Sequence, residues 1–390
     1  MNWIKALKRH VKLNPNKPLV TAKGDTKTYG EVLDLSQRFA SFLQKTANVQ
    51  KGDSVVCRAS QSVSYFITLT ATLLLEAVFV PFEKDCSVQV IERACNQLGN
   101  VKAMVGDSQK DIDVCANFVD LSSVIDLALQ SELQQREDPK DDAVSIILFT
   151  TGTTGTSKGA VTTHRQLQQC DLMGTTFGYD ENTNVYIAGS TNHIGFLAFA
   201  VCAVYKGASF IISQGLTNLK DVFTALKDHK ANAMFATVSG FNMLFLLCKE
   251  QLKSYSKQLK IIITGSEKCS EKDQKALLEN MPDSQCFLLY GLTEGGFWAC
   301  SHLNESTKEY CVGRMLDNVE VFALAENGEL CSDGTQGRLV AKTPYSMKYY
   351  LCDQEKTNEV LKGEFVHSDD LGYVQNGEVF VLGRMGNVLI

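Results

Sequence analysis

The sequence predicts an α/β protein: two stacked α/β subdomains with mostly parallel sheets, then a small β-rich, barrel-like subdomain. Three observations lead there. Short apolar runs of strand length alternate with stretches of helical spacing through most of the chain, a pattern that favours parallel strands joined by crossover helices. At 390 residues the chain is long enough for two or three such units. From about residue 311 the helical stretches give way to short strands punctuated by Asn327-Gly328, Asp333-Gly334 and Asn376-Gly377, dipeptides suited to hairpin turns.

Residues 1–13 set Trp3, Ile4, Leu7 and Val11 against Lys5, Lys8, Arg9 and Lys12. That is amphipathic helical spacing, without the continuous apolar core of a targeting signal. Residues 18–57 read as two short strands, a turn at Gly24-Asp25 and a helix. Thr28 is its N-cap, Glu31 closes a capping box, and Val32, Leu35, Phe39 and Leu43 follow at helical spacing. A strand covers 54–59. The most membrane-like stretch, 63–82, carries Glu76 and Pro81 and reads as a buried helix then a buried strand, not a span. Helix and strand recur through 87–105 and 116–120, and the polar residues 131–142 lead to an apolar strand at 143–149. Further on, helices at 164–176, 194–205, 218–229, 239–250 and 270–280 alternate with strands at 185–188, 208–212, 233–236, 260–264 and 285–289. The subdomains expected from this pattern span 1–160, 161–310 and 311–383.

Composition excludes several classes. Hydrophobic content of 44% and charged content of 21% describe an ordinary globular protein. A net charge of −6 argues against nucleic acid as a partner. The 13 cysteines are scattered singly, with no Cys-x-x-Cys pair and no Cys/His cluster. They read as reduced thiols of a cytoplasmic protein, not a disulfide frame or zinc site.

The densest chemical signal is residues 149–159, Phe-Thr-Thr-Gly-Thr-Thr-Gly-Thr-Ser-Lys-Gly, directly after the apolar strand. Glycines let a backbone approach a ligand closely, hydroxyls and freed N–H groups surround phosphate oxygens, and a lysine adds a point charge. A Walker-type loop is excluded. It needs Gly before the Lys and Ser or Thr after it, whereas Ser157 precedes Lys158 and Gly159 follows. The stretch closely resembles the phosphate loop of the adenylate-forming superfamily: acyl- and aryl-CoA ligases, peptide-synthetase adenylation domains and luciferases. Ser157 stands where that family usually has Pro. The resemblance implies that Thr150, Thr151, Gly152, Thr153, Thr154 and Gly155 bind nucleotide phosphates and that Lys158 serves catalysis.

Tyr290-Gly291-Leu292-Thr293-Glu294-Gly295-Gly296 follows the strand at 286–289. A Gly-rich turn at a sheet's carboxyl edge is a ligand position, although a plain strand-to-helix turn has the same look. Tyr-Gly-x-Thr-Glu is a signature of the same superfamily. By resemblance Tyr290, with Gly291, packs against adenine, Thr293 contacts the α-phosphate, and Glu294 holds Mg²⁺, a hard cation suited to a carboxylate oxygen. His367-Ser368-Asp369-Asp370-Leu371-Gly372 resembles the family's Thr-Gly-Asp-Leu-Gly segment, with Asp369 in place of Gly. Asp370 would accept hydrogen bonds from the ribose hydroxyls. Gly383-Arg384 resembles the pair that opens the family's hinge, with Arg384 reaching ribose and phosphate. Gly265, Ser266 and Glu267 occupy the place where the family's backbone touches adenine and the acyl pocket. The run from Gly337-Arg338 to Tyr349-Tyr350 resembles the Gly-Glu-Leu…Gly-Tyr stretch, with Arg338 in place of Glu.

Amino-acid-activating members carry Phe-Asp where this chain has Ser190-Thr191-Asn192-His193-Ile194-Gly195-Phe196, which holds no acid. The segment looks like the His-x-x-Gly of acyl- and aryl-CoA ligases, one residue shorter. His193 would face the incoming carboxylate. Phe241, Phe297 and Trp298 either wall an apolar pocket or belong to the core.

The resemblance implies ATP-dependent activation of a small carboxylic acid to acyl-AMP with release of pyrophosphate and use of Mg²⁺. Transfer to a thiol follows, of CoA or of a carrier protein's phosphopantetheine. A non-catalytic nucleotide-binding module is the remaining alternative. Residues 384–390 read as the start of a hinge to a small C-terminal domain missing from this chain, which stops within the apolar run 388–390. A fragment of this kind is expected to bind ATP and acyl-AMP, to adenylate slowly and not to complete thioester transfer. No nucleic-acid partner and no transmembrane segment are expected.

Overall fold

The computed structural model of the protein describes residues 1–108, 117–151, 157–216 and 218–385. Gly152, Thr153, Thr154 and Gly155 of the phosphate loop, and the hinge residues past 385, lie outside the described residues. The chain divides into two compact units. The first comprises Met1–Thr183, Gly189–Asn218 and Met347–Gln354; the second comprises Asn184–Ala188, Leu219–Ser346 and Glu355–Ile390.

The first unit is built on a seven-stranded sheet. Its order is Tyr349–Tyr350, Ser157–Thr163, Val144–Thr151, Val78–Glu83, Ser54–Ala59, Val101–Gly106 and Phe118–Asp120. The last five run parallel, whereas Ser157–Thr163 and Tyr349–Tyr350 are antiparallel additions. Val56, Val80, Ile91, Met104, Ile147 and Val161 form its core. Pro18–Ala22 pairs in parallel with Ser209–Ile212 and antiparallel with Asp25–Thr28.

Local signals in this unit act as expected. Thr28 caps the helix Tyr29–Ala47: the Glu31 N–H donates to Thr28 Oγ1 at 3.2 Å, and the Thr28 N–H donates to Glu31 Oε2 at 2.8 Å. Residues 63–82 resolve into the buried helix Val63–Leu74 and the buried strand Val78–Glu83. The hydroxyls of Thr68, Thr70 and Thr72 donate to the carbonyls four residues back, each at 2.8 Å, which satisfies polar groups inside an apolar helix. Among the described residues no helix is long and apolar enough to cross a membrane.

The second unit's strand order is Glu320–Leu324, Gly337–Lys342, Phe365–Gln375, Glu378–Arg384, Cys311–Met315, Gly296–His302, Gln285–Leu292, Ile261–Gly265, Ala233–Phe235 and Asn184–Ile187. The last four are parallel and the rest antiparallel. Helices Val238–Lys253 and Glu271–Asn280 connect the parallel strands. Asn376 and Gly377, at φ +53° and +76°, turn the hairpin between Phe365–Gln375 and Glu378–Arg384. The β-rich stretch is present, but among the described residues it closes no barrel. Cys311–Met315 pairs on one side with Gly296–His302 and on the other with Glu378–Arg384, so these strands prolong the parallel sheet.

Ser157–Thr163 and Gly296–His302 are strands that the sequence reading did not assign. Each turns back antiparallel beside the last parallel strand of its unit, Val144–Thr151 and Gln285–Leu292 respectively. Thr151 and Leu292, the last strand residues before the two signatures or within them, therefore lie where a sheet changes from parallel to antiparallel, at a strand's carboxyl end, which is the ligand-binding edge of α/β sheets.

Candidate active site

In the first unit Lys158 stands opposite Thr150 in the hairpin that carries the phosphate loop. A Cβ on Gly159 would come within 3.0 Å of Ile147 and 3.2 Å of both Leu351 and Phe149, so glycine lets the apolar side chains close under the hairpin. The Lys158 Nζ lies 4.0 Å from Asp353 Oδ2 and 5.9 Å from the centroid of the Tyr350 ring. Asp353 is a site neighbour that sequence reasoning missed. Its only signal was its place three residues after the recognised Tyr349-Tyr350 pair.

His193 occupies the N-cap position of the helix Ile194–Lys206, with its imidazole largely exposed. Its Nε2 is 3.8 Å from Oε1 of Glu83, the residue that ends the parallel strand Val78–Glu83. The segment itself contains no acid, as read, yet another strand brings a carboxylate to its histidine. The turn before His193 is held from below. The Thr191 N–H donates to Gln61 Oε1 at 3.2 Å, and the buried Tyr65 Oη donates to Asn192 Oδ1 at 2.7 Å. Gly189 leaves room here for the Phe196 ring, which a Cβ would meet at 2.0 Å unless the ring moved.

In the second unit three predicted residues come together. Tyr290 Oη donates to Asp370 Oδ2 at 2.6 Å, and Arg384 Nε is 3.1 Å from Asp370 Oδ1. The sheet register sets the second contact, because Asp370 and Arg384 are cross-strand partners. Asp370 is only 5% exposed. Its backbone N–H donates to Ser368 Oγ at 3.0 Å, and that hydroxyl donates to the Leu339 carbonyl at 2.7 Å. Burial first, and the Asp370 charge second, push the Tyr290 phenol well above its ordinary range. Tyr290 is therefore a protonated donor.

Gly265 ends the strand beside this cluster, in register with Leu289. A Cβ there would stand 2.4 Å from the Leu289 carbonyl oxygen. Ser266 follows in the left-handed region at φ +65°. The Glu267 side chain turns to the start of the helix Val238–Lys253, accepting from the Ser239 N–H at 2.8 Å and the Ser239 hydroxyl at 2.9 Å. This leaves the Gly265–Ser266 backbone as the part of the segment suited to a base.

Thr293 and Glu294 ride the turn between Gln285–Leu292 and Gly296–His302. Gly291 allows the close crossing, since its Cβ would lie 2.5 Å from the Gly296 carbonyl oxygen. Trp298 locks the turn by donating Nε1–H to the Gly295 carbonyl at 3.1 Å, and its ring meets Tyr290 edge-on at 5.8 Å and 85°. Trp298 is fully buried and Phe241 is 3% exposed, so both belong to the core. Among the described residues no group of three His, Cys, Asp or Glu could hold a metal. A single carboxylate such as Glu294 suits an ion that arrives already bound to phosphates, because Mg²⁺ takes one or two protein carboxylates beside its waters and phosphate oxygens.

Comparison with known proteins accounts for the arrangement. The family profile described as AMP-binding enzyme matches residues 7–351. Surfactin synthase subunit 3 of Bacillus subtilis is 26% identical over 370 residues, covering 90% of this chain and 28% of the relative. The D-alanine–D-alanyl carrier protein ligase of Bacillus velezensis is 24% identical over 403 residues, covering 99% and 79%. The 4-coumarate–CoA ligase-like 9 protein of Oryza sativa subsp. japonica is 25% identical, covering 94% and 71%. The chain thus spans 28% of the length of the surfactin synthase subunit and 79% of that of the carrier protein ligase. ATP-bound MatB from Rhodopseudomonas palustris superposes with a TM-score of 0.89 at 22% identity, over 100% of this chain and 80% of that one. The N-terminal domain of FACL13 from Mycobacterium tuberculosis gives 0.87 at 18% identity, over 98% and 99%. The phosphate loop, the Tyr-Gly-x-Thr-Glu turn and the fold agree with a profile that covers most of the sequence: this chain belongs to the AMP-binding enzyme family, the adenylate-forming enzymes.

Proposed function

We propose that the protein activates a carboxylic acid with ATP, the acid being acyl or aryl. The observation that carries this reading is Asp370: a carboxylate 5% exposed, on the internal strand Phe365–Gln375, with both oxygens facing exchangeable hydrogen-bond donors. A buried acid is costly unless its hydrogen bonds are made, and ribose hydroxyls are donors that Asp370 can take in exchange. The substrate carboxylate oxygen attacks the α-phosphorus, the bond to the β-bridging oxygen breaks, and pyrophosphate leaves with the electron pair. The product is acyl-AMP.

This chemistry asks the protein mainly for position and charge. Tyr290 and the Gly265–Ser266 backbone line the adenine. Thr150, Thr151 and the loop residues Gly152 to Gly155 surround phosphate oxygens, with Lys158 as the point charge. Thr293 touches the α-phosphate and Arg384 reaches ribose and phosphate. His193, beside Glu83, orients the incoming acid. Mg²⁺, when bound with Glu294 as its protein ligand, neutralises phosphate charge. In the complete reaction a thiol sulfur attacks the acyl carbonyl, its proton passes to solvent and AMP leaves. CoA is the acceptor on the main reading. Phosphopantetheine on a carrier protein is the second, favoured by the likeness to a carrier protein ligase and a peptide synthase subunit. The described cysteines are all free thiols, which suits a reducing compartment, and we place the protein in the cytoplasm.

The test is exchange of labelled pyrophosphate into ATP with Mg²⁺ and a panel of fatty, aryl and amino acids. Exchange with a fatty or aryl acid supports the proposal. Exchange with an amino acid alone refutes the acyl or aryl assignment. ATP binding without exchange across the panel favours a non-catalytic nucleotide-binding module.

A further inference from the structure

We propose that Asp353 is a competing partner for Lys158, a positioning residue that holds the ammonium group before nucleotide arrives and yields it to phosphate. The proposal rests on the reading of Lys158 as a phosphate ligand. Its physical basis is the route of the chain. Residues on either side of Met347–Gln354 belong to the second unit, and these eight alone join the first. They lie along the strand that carries Lys158. Tyr349 and Tyr350 pair with Val161 and Ala160, the Lys348 N–H donates to the Val161 carbonyl at 2.7 Å, and the Leu351 N–H donates to the Gly159 carbonyl at 2.8 Å. The Asp353 N–H then donates to the Tyr350 carbonyl at 3.2 Å, which turns the carboxylate back toward the lysine.

The contact is built to be exchanged. At 4.0 Å it is at the long limit of an ion pair, and the two side chains are 21% and 34% exposed. Partly exposed pairs contribute little net energy. A triphosphate brings several charges to compete with one carboxylate. The Tyr350 ring, 5.9 Å from Nζ, remains beside the ammonium as it changes partner. Asp353 therefore neutralises Lys158 in the nucleotide-free protein and opposes nucleotide binding to a small degree.

The experiment couples carboxylates to amines with a water-soluble carbodiimide. Activation of Asp353 and attack by Lys158 expels the urea and leaves an amide, detected by mass spectrometry as a Lys158–Asp353 cross-linked peptide. The nucleotide-free protein is expected to give this peptide, and saturating ATP with Mg²⁺ to lower its yield at least fivefold. D353N is expected to bind ATP roughly two- to fivefold more tightly in equilibrium dialysis, with D353E close to the wild type. A purely structural strap predicts the opposite, because loosening it would weaken binding. An undiminished cross-link with ATP bound, or weaker ATP binding by a folded D353N, overturns the proposal. Failure of the wild-type protein to bind ATP overturns the adenylation reading itself, and this proposal with it.

Discussion

Replacing Tyr290 by Phe removes one hydroxyl from the second unit and keeps the ring. The hydroxyl donates to Asp370 at 2.6 Å, within the short range of a hydrogen bond to a carboxylate. Asp370 then keeps the Arg384 contact at 3.1 Å, but the Arg384 side chain is 59% exposed and so screened by water. A hydrogen bond to a charged group contributes about 1.5–3 kcal/mol. For a domain of 150–250 residues each kcal/mol moves the melting midpoint by about 2–4 °C, so Y290F should melt roughly 3–12 °C below the wild type near pH 7. The sign of the pH dependence follows from the raised phenol. The native state keeps Tyr290 protonated while the unfolded chain ionises near 10. Its contribution is complete below pH 10 and is lost as pH rises above that value, so the gap between the two proteins should narrow there. Ribose hydroxyls would occupy the vacated oxygen, so ATP should raise the midpoint of Y290F by more than that of the wild type. Thermal denaturation with and without ATP reads all three effects. A midpoint within 1 °C of wild type without nucleotide, or an ATP shift smaller than the wild type's, would refute the reasoning.

Three further changes probe other parts of the molecule. K158M should cut carboxylate-dependent pyrophosphate exchange roughly 100-fold, in line with the loss of one group that stabilises developing charge, and a loss under threefold would remove Lys158 from the chemistry. His164 is fully buried with neither ring nitrogen hydrogen-bonded, and burial pushes it down to about 4 against the opposing pull of Asp141 and Glu76. The unfolded chain takes up this proton near pH 6.5 and the native state only near 4. Stability therefore falls between those values, by up to about 3 kcal/mol. H164L should flatten that part of the stability profile in urea titrations from pH 7 to 4.5, and an unchanged slope would count against it. G265A would place a Cβ 2.4 Å from the Leu289 carbonyl oxygen, a backbone atom of a paired strand. Denaturant titration should show a loss of about 1–3 kcal/mol, and dialysis a weaker affinity for ATP; neutrality in both would refute the close approach.

Signals confined to a few neighbouring residues were legible in the sequence. The capping box of Thr28 and Glu31, the turn at Asn376-Gly377 and the helix-then-strand reading of 63–82 each rest on local geometry. Strands Ser157–Thr163 and Gly296–His302 were not read, because each begins inside a motif whose glycines and hydroxyls suggest a loop. What makes them strands is pairing with the strand before them, a property of two segments. The β-rich character of residues 311–383 was legible in the same local way. Short strands and hairpin turns were visible, but which edge Cys311–Met315 joins depends on Gly296–His302 and Glu378–Arg384 together. The candidate site was readable as far as its motifs reached: Tyr290, Asp370 and Arg384 do meet. Asp353, in the turn after Tyr349–Tyr350, and Glu83, at the end of Val78–Glu83, approach Lys158 and His193 from far away in sequence, with no pattern of their own to announce them.

The Tyr349–Tyr350 pairing also sets a clock on synthesis. The strand Ser157–Thr163 leaves the ribosome roughly 190 residues before its outer neighbour. At about 5–20 residues per second the wait is on the order of 10–40 s. For that time one side of a seven-residue strand, buried over its last five residues in the folded protein, has no partner of its own, and open edges of this kind template pairing between chains. A nascent chain paused between residues 163 and 349 is thus the form of this protein most exposed to aggregation, and slow codons placed after residue 350 should be far better tolerated than slow codons before it.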